Sequence, residues 1–131
     1  MKKNTLLNSE LSYEISKLGH TQTIVVADCG LPIPENVKRI DLALIRGIPS
    51  FKDVLEAILS EMCVEEYTVA SEMEDENPKT LAFVREALAG VEAGEVSHTE
   101  FKELTRKASC VIRTGEASPY ANIILQSGVK F

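Results

Sequence analysis

Two hydrophobic periods take turns along this chain, and their order constrains its fold more than any other feature. Thr23-Ile24-Val25-Val26-Ala27 is a β-branched, nearly unbroken apolar run, the pattern of a strand covered on both faces. Residues 39–44 alternate with period two and read as a second strand. Phe51, Val54, Leu55, Ile58, Leu59 and Met62 then fall on one helical stripe, opened by Ser50 with Asp53 as a variant of the capping box. Residues 67–70 predict a strand. Pro78 opens a helix carrying Leu81, Val84 and Leu88, which Gly90 ends. After a short strand at 95–96, Ser97 with Glu100 forms a full capping box, so His98 falls in the first turn of the helix bearing Phe101 and Leu104. Strands at 109–113 and 121–125 complete the pattern.

An opening helix over residues 9–18 precedes these elements, with Asn8 or Ser9 as its cap and Gly19 as a left-handed stop. The acidic run at 71–77 reads as an exposed connection. Strands thus alternate with helices along the whole length, which predicts an α/β protein. The expected architecture is three-layer α/β/α with a largely parallel central sheet, because crossover connections need parallel neighbours. The 131 residues form one domain by length, spanning 1–131.

Charge and cysteine usage narrow the classes of partner. The 20 acidic residues outnumber the 14 basic ones, and no Lys/Arg cluster forms a phosphate-tracking face. Neither nucleic acid nor an anionic membrane surface is an expected partner. No run approaches the ~20 apolar residues of a membrane span. Met1-Lys2-Lys3-Asn4 lacks the long apolar core of a signal peptide. Cys29, Cys63 and Cys110 are odd in number and far apart, which suits reduced thiols in a cytoplasmic protein better than a disulfide framework or a zinc site. Cys29 is expected to be a small buried thiol rather than a nucleophile. There is no phosphate-binding glycine motif and no H-E-x-x-H, so no cofactor and no metal are expected. A zinc site sharing both histidines and an acid stays open as a remote alternative.

The residues able to carry chemistry are few. His20 follows the first helix stop, and His98 sits at a helix entrance whose dipole disfavours the imidazolium. The plain alternative for each is an ordinary half-exposed loop residue. Asp28 ends the first strand ahead of Gly30, where it either accepts hydrogen bonds from a ligand or simply forms the turn. Tyr120 and Asn122, two apart at the start of the last strand, point the same way and suit a polyhydroxylated ligand; the plain alternative is a tyrosine packed at a strand edge. Ligands in open α/β sheets sit outside the carboxyl ends of strands. Three places fit that rule: the loop after Ala27, the helix start at His98, and the loop before Tyr120.

Four segments, in order, also match a known pattern. They are Leu18-Gly19-His20-Thr21 running into Ile24 through Pro32, Ser97-His98-Thr99-Glu100-Phe101-Lys102, Val111 through Glu116 leading to Pro119-Tyr120-Ala121-Asn122, and the closing Gly128-Val129-Lys130-Phe131. The chain resembles the D-ribose pyranase family, relatives of the fucose mutarotases, over essentially its full length. The resemblance implies an isomerase that interconverts pyranose and furanose forms of D-ribose without a cofactor and supplies ribose to ribokinase. It implies His20 as the proton donor, and Asp28, His98, Tyr120 and Asn122 as sugar ligands. It further implies a ring-shaped homo-oligomer, a decamer, in which a neighbouring subunit helps complete each site. Cys29 and Ser118 depart from the family's usual Ala and Thr and touch only local packing.

Overall fold

The computed structural model describes residues 1–131 and contains one six-stranded sheet in the order β2-β5-β1-β6-β3-β4. The strands are β1 Thr23–Ala27, β2 Lys38–Asp41, β3 Val64–Ala70, β4 Glu92–Val96, β5 Cys110–Arg113 and β6 Ile123–Ser127. β1 pairs in parallel with β5, β5 with β2, and β3 with β4; β6 runs antiparallel between β1 and β3. Five strands therefore share one direction and β6 alone opposes them. This is the expected largely parallel sheet, with a reversed strand at its centre.

The helices are α1 Ser9–Lys17, α2 Phe51–Leu59, α3 Met73–Glu76, α4 Pro78–Ala87 and α5 His98–Leu104, the last extended by a 3₁₀ turn at Thr105–Lys107. Strand alternation divides the apolar residues between the two faces of the sheet. Ile24, Val26, Ile40, Tyr67, Val69, Cys110, Ile112, Ile123 and Leu125 face α1, α2 and α4 and build the main core with Leu11, Leu55, Ile58 and Val84. Val25, Ala27, Val111 and Ile124 face the other way and pack under Phe101, Ala108, Leu31 and Val37. Helices thus cover both faces, as the three-layer reading expects.

Several elements differ from their sequence pattern. The chain leaves α1 through Leu18 in an extended conformation, and Gly19 is not left-handed; Thr21 carries the positive φ, at 70°. The side chain of Gln22 accepts the Gly19 N–H at 2.7 Å, so a local turn replaces the expected glycine stop. β2 ends at Asp41, whose carboxylate caps the Ala43 N–H. The acidic run at 71–77 is not a bare connection. Met73 is fully buried and anchors the short helix α3, and Asn77 is buried as the N-cap of α4.

Cys29 is only half-buried, whereas Cys110 is the buried thiol, its pKa pushed up to about 12 by removal from water. A thiol so hard to ionise is a packing residue rather than a nucleophile.

Candidate active site

Four of the five expected residues meet at one end of the sheet, beyond the carboxyl ends of the parallel strands. Asp28 leaves β1 there. The reversed direction of β6 brings the segment before it, Tyr120 to Asn122, to the same end, and His98 follows β4. All three loops that the strand-end rule selects therefore converge.

Asp28 and Asn122 lock each other. The Asn122 Oδ1 accepts the Asp28 backbone N–H at 2.8 Å, and the Asn122 Nδ2 donates to Asp28 Oδ2 at 2.9 Å. Asp28 Oδ1 accepts the N–H groups of Gly30 and Leu31, both at 2.9 Å. A carboxylate has about four acceptor sites. Three are occupied by these bonds, so Oδ2 keeps one for a ligand hydroxyl. The turn-forming and ligand-accepting roles weighed for Asp28 are thus compatible: one oxygen makes the turn and the other remains available.

His98 is held from behind. Its backbone N–H lies 3.0 Å from each carboxylate oxygen of Glu72. Its ring stands edge-on to Tyr120, with centroids 5.0 Å apart, and stacks over Phe101 at 6.4 Å. The Nδ1 atom is buried with no hydrogen-bond partner. Leaving such an atom unpaired costs about 1–3 kcal/mol, which favours a water or ligand group beside it. Tyr120 has φ 56° and lies outside β6, so it does not share a strand face with Asn122 as the two-residue spacing suggested. The left-handed turn aims its ring at His98 instead.

Two further groups shape this end. Asn77 donates to the Pro119 carbonyl at 2.7 Å and to Ser118 Oγ at 3.0 Å, tying the start of α4 to the turn that carries Tyr120. Glu116 accepts the Phe51 N–H at 3.1 Å and the Ser118 N–H at 3.2 Å. Glu72 and Asn77 lie in the run that sequence reading assigned to an exposed connection. The Asn77-Pro78 pair, a helix-start signature, and the lone apolar Met73 were the available signals.

Burial alone would raise the Glu116 pKa, but the backbone N–H groups of Phe51 and Ser118 outweigh it and hold the carboxyl below its ordinary 4.5. A depressed carboxylate pKa stabilises the fold above the unfolded value, and that contribution is lost as pH falls through the folded value. Stability should therefore decline below about pH 4.5, and Glu116→Gln should flatten part of that decline in denaturant titrations across pH. An unchanged slope in the variant would show that Glu116 is not part of this linkage.

His20 is not at this end. It precedes β1 while Asp28 follows it, so the length of the strand separates them, roughly 15 Å at ~3.3 Å per residue. Its side chain is 55% exposed, and Nε2 lies 2.9 Å from Glu65 Oε2 at the start of β3. Clefts of a single chain run along Thr23, Thr68 and Gln126, and between Lys52, Asn77 and Phe83 beside Glu116 and Ser118. One copy thus carries Asp28, His98, Tyr120 and Asn122 together at one end of the sheet and an exposed imidazole at the other. No zinc site can use both histidines of one copy.

Residues 1–130 match the RbsD / FucU transport protein family. A D-ribose pyranase of Laribacter hongkongensis is 56% identical over 131 residues, covering 100% of each chain. A D-ribose pyranase of Geobacillus thermodenitrificans is 53% identical, covering 100% of this chain and 99% of that protein. Among solved structures, Bacillus subtilis RbsD complexed with D-ribose superposes with a TM-score of 0.97 at 46% identity over 100% of both chains. The fucose mutarotase of Streptococcus pneumoniae, complexed with L-fucose, gives 0.81 at 26% identity over 95% of this chain and 94% of that one. On the match across 130 residues and these full-length relatives, the chain belongs to the RbsD / FucU family.

Proposed function

We propose that this protein is a D-ribose pyranase, a mutarotase that interconverts the pyranose and furanose forms of D-ribose, acting as one domain over residues 1–131. The observation that carries the reading is the end-to-end likeness to a protein complexed with D-ribose, at 46% identity and a TM-score of 0.97. Relatives named D-ribose pyranase at 53–56% identity support the same substrate.

The chemistry asks for acid–base groups and positioning only. On opening, the C1–O bond breaks as the ring oxygen takes a proton from the His20 imidazolium, and the anomeric hydroxyl releases its proton to water. The product is the open aldehyde. On closing, a different hydroxyl attacks C1 and returns its proton to His20, while the aldehyde oxygen regains one from water. No hydride or electron moves, so the reaction calls for no redox cofactor. A general acid–base supplies about 10²–10⁴-fold, which suffices for a step that sugars already undergo slowly in water. Asp28, His98, Tyr120 and Asn122 bind and orient the sugar.

In this reading His20 acts on sugar held by a neighbouring copy, within a ring-shaped decamer. The separation of His20 from Asp28 along β1 supports it, as does the exposure of the imidazole. Leu44, Ile45 and Ile48 are exposed on the turn packed against Gly115, at the end that carries Asp28, and such an apolar patch suits a contact between copies. The enzyme supplies ribose to ribokinase in the cytoplasm. Three free cysteines support that compartment, and no helix is long and apolar enough to cross a membrane.

Magnetisation-transfer NMR on D-ribose tests the activity directly. Exchange between pyranose and furanose signals should accelerate in proportion to added protein, and more strongly for D-ribose than for L-fucose. A rate equal to that of buffer would overturn the reading, and a preference for L-fucose would reassign the substrate.

A further inference from the structure

The end of the sheet opposite Asp28 holds a three-membered hydrogen-bonded chain, and the mechanism above uses only its first member, His20. His20 Nε2 lies 2.9 Å from Glu65 Oε2, and the other oxygen of Glu65 accepts from Gln126 Nε2 at 2.8 Å. Glu65 stands on β3 and Gln126 on β6, hydrogen-bonded neighbours in the sheet, whereas His20 sits on the connection into β1. The chain around His20 is itself fixed: Thr21 N–H donates to the Ser127 carbonyl at 2.9 Å, and Ser127 N–H donates to the Gln22 carbonyl at 2.8 Å. Gln126 is paired within the sheet, and Glu65 sits at the irregularity between Val64 and Glu66 where β3 meets β6.

We infer that Glu65 is a positioning residue for His20, held in place by Gln126, and that it leaves Nδ1 as the ring atom that exchanges a proton with the sugar. The inference rests on the role assigned to His20 above.

An ionised carboxylate only accepts hydrogen bonds. The amide of Gln126 and then the imidazole of His20 hold the Glu65 carboxyl below its ordinary range, so it is ionised at neutral pH. At 2.9 Å from that oxygen, Nε2 must be the N–H donor in both charge states of the ring. The proton that comes and goes during catalysis is therefore on Nδ1. Gln126 completes the arrangement by using the second carboxylate oxygen, which stops Glu65 from swinging away into solvent. Without Glu65 the imidazole, more than half exposed, is free to rotate about its side-chain bonds and loses its aim at a substrate it must reach from outside.

The sequence carries no sign of this. Glu65 lies in a Glu-Glu pair at the start of a strand, 45 residues from His20, and only the register of β3 against β6 brings the three together.

Ribose exchange measured by NMR at saturating and subsaturating sugar tests the inference, with Glu65→Ala made in the parent and in a His20→Ala background. A positioning role lowers kcat roughly 10-fold, within the ~10²–10⁴-fold that the general acid–base supplies altogether, and leaves KM within about 2-fold. The same substitution then has no further effect when His20 is already absent, because the two act as a unit. Gln126→Ala should give a smaller loss of the same kind. An equal loss in both backgrounds, or a rise in KM with kcat unchanged, would show that Glu65 serves the fold or the sugar directly. No loss in the parent while His20→Ala is inactive would overturn the inference and spare the role of His20. Full exchange in His20→Ala alone would refute that underlying role instead.

Discussion

Co-expressed with Asp28→Ala, the inactive His20→Ala variant regains exchange that neither variant shows on its own. Each single substitution removes one half of the proposed site. His20→Ala loses the proton donor, at a cost of about 10²–10⁴-fold. Asp28→Ala loses the carboxylate whose Oδ2 keeps one acceptor site for the sugar, and frees the N–H groups of Gly30 and Leu31. Because β1 separates the two residues, a site built between copies takes its imidazole from one chain and its carboxylate from the next. Random assembly of equal amounts gives about one site in four with both groups intact. NMR exchange on the purified hybrid should therefore recover to a sizeable fraction of the parent rate. A hybrid as inactive as its parents, with both variants folded and assembled by circular dichroism and light scattering, would rule out sharing.

Gly115→Ala should cost about 3 kcal/mol or more, the largest stability loss expected from a single added methyl group here. A Cβ at this position would lie 2.5 Å from the carbonyl oxygens of both Ile45 and Ile48 and 2.7 Å from the Ile48 carbonyl carbon. All three are backbone atoms, so no flexible side chain can yield. The Gly115 N–H also donates to the Pro49 carbonyl at 2.8 Å, and its carbonyl accepts from Gly47. Pushing the strands of contact apart would break these bonds as well. At roughly 3–5 °C per kcal/mol for a chain of this length, Tm should drop by about 10–15 °C. Gly47→Ala is the control. Its φ is 83° but a Cβ there meets nothing within 4 Å, so it pays only the left-handed penalty of about 1 kcal/mol. Equal Tm losses for the two variants would contradict the steric account.

The parts of this fold that were legible in the sequence are those where local signals and burial agree. β1 is covered on both faces, so its apolar run is unbroken and its bounds match residue for residue. α2 announces itself by a wide apolar stripe and a serine whose oxygen accepts the Asp53 N–H at 3.0 Å. Ser97 does the same for Glu100 at 3.2 Å. What stayed hidden depends on distant partners. β3 begins at Val64 because its first residues pair with the end of β6, although Glu65 and Glu66 are poor strand formers. Nothing local says that β6 runs against its neighbours. For the site, the residues flanking β1 were visible, and a strand between His20 and Asp28 already implied their separation. The carboxylates behind the two histidines, Glu65 and Glu72, were not visible, since each contacts its histidine across more than 20 residues of chain.

The reversed strand at the centre of the sheet has a numerical consequence. Because β6 delivers Asn122 to one pole and Gln126 to the other, every copy carries, in the proposed mechanism, one donor pole and one acceptor pole. A row of copies joined pole to pole always wastes an imidazole at its first member and a carboxylate at its last. Under the proposed sharing, short rows waste the most: two copies complete one catalytic centre, three complete two, and a lone copy completes none. Closing the row on itself is the only geometry of this kind in which nothing is left idle.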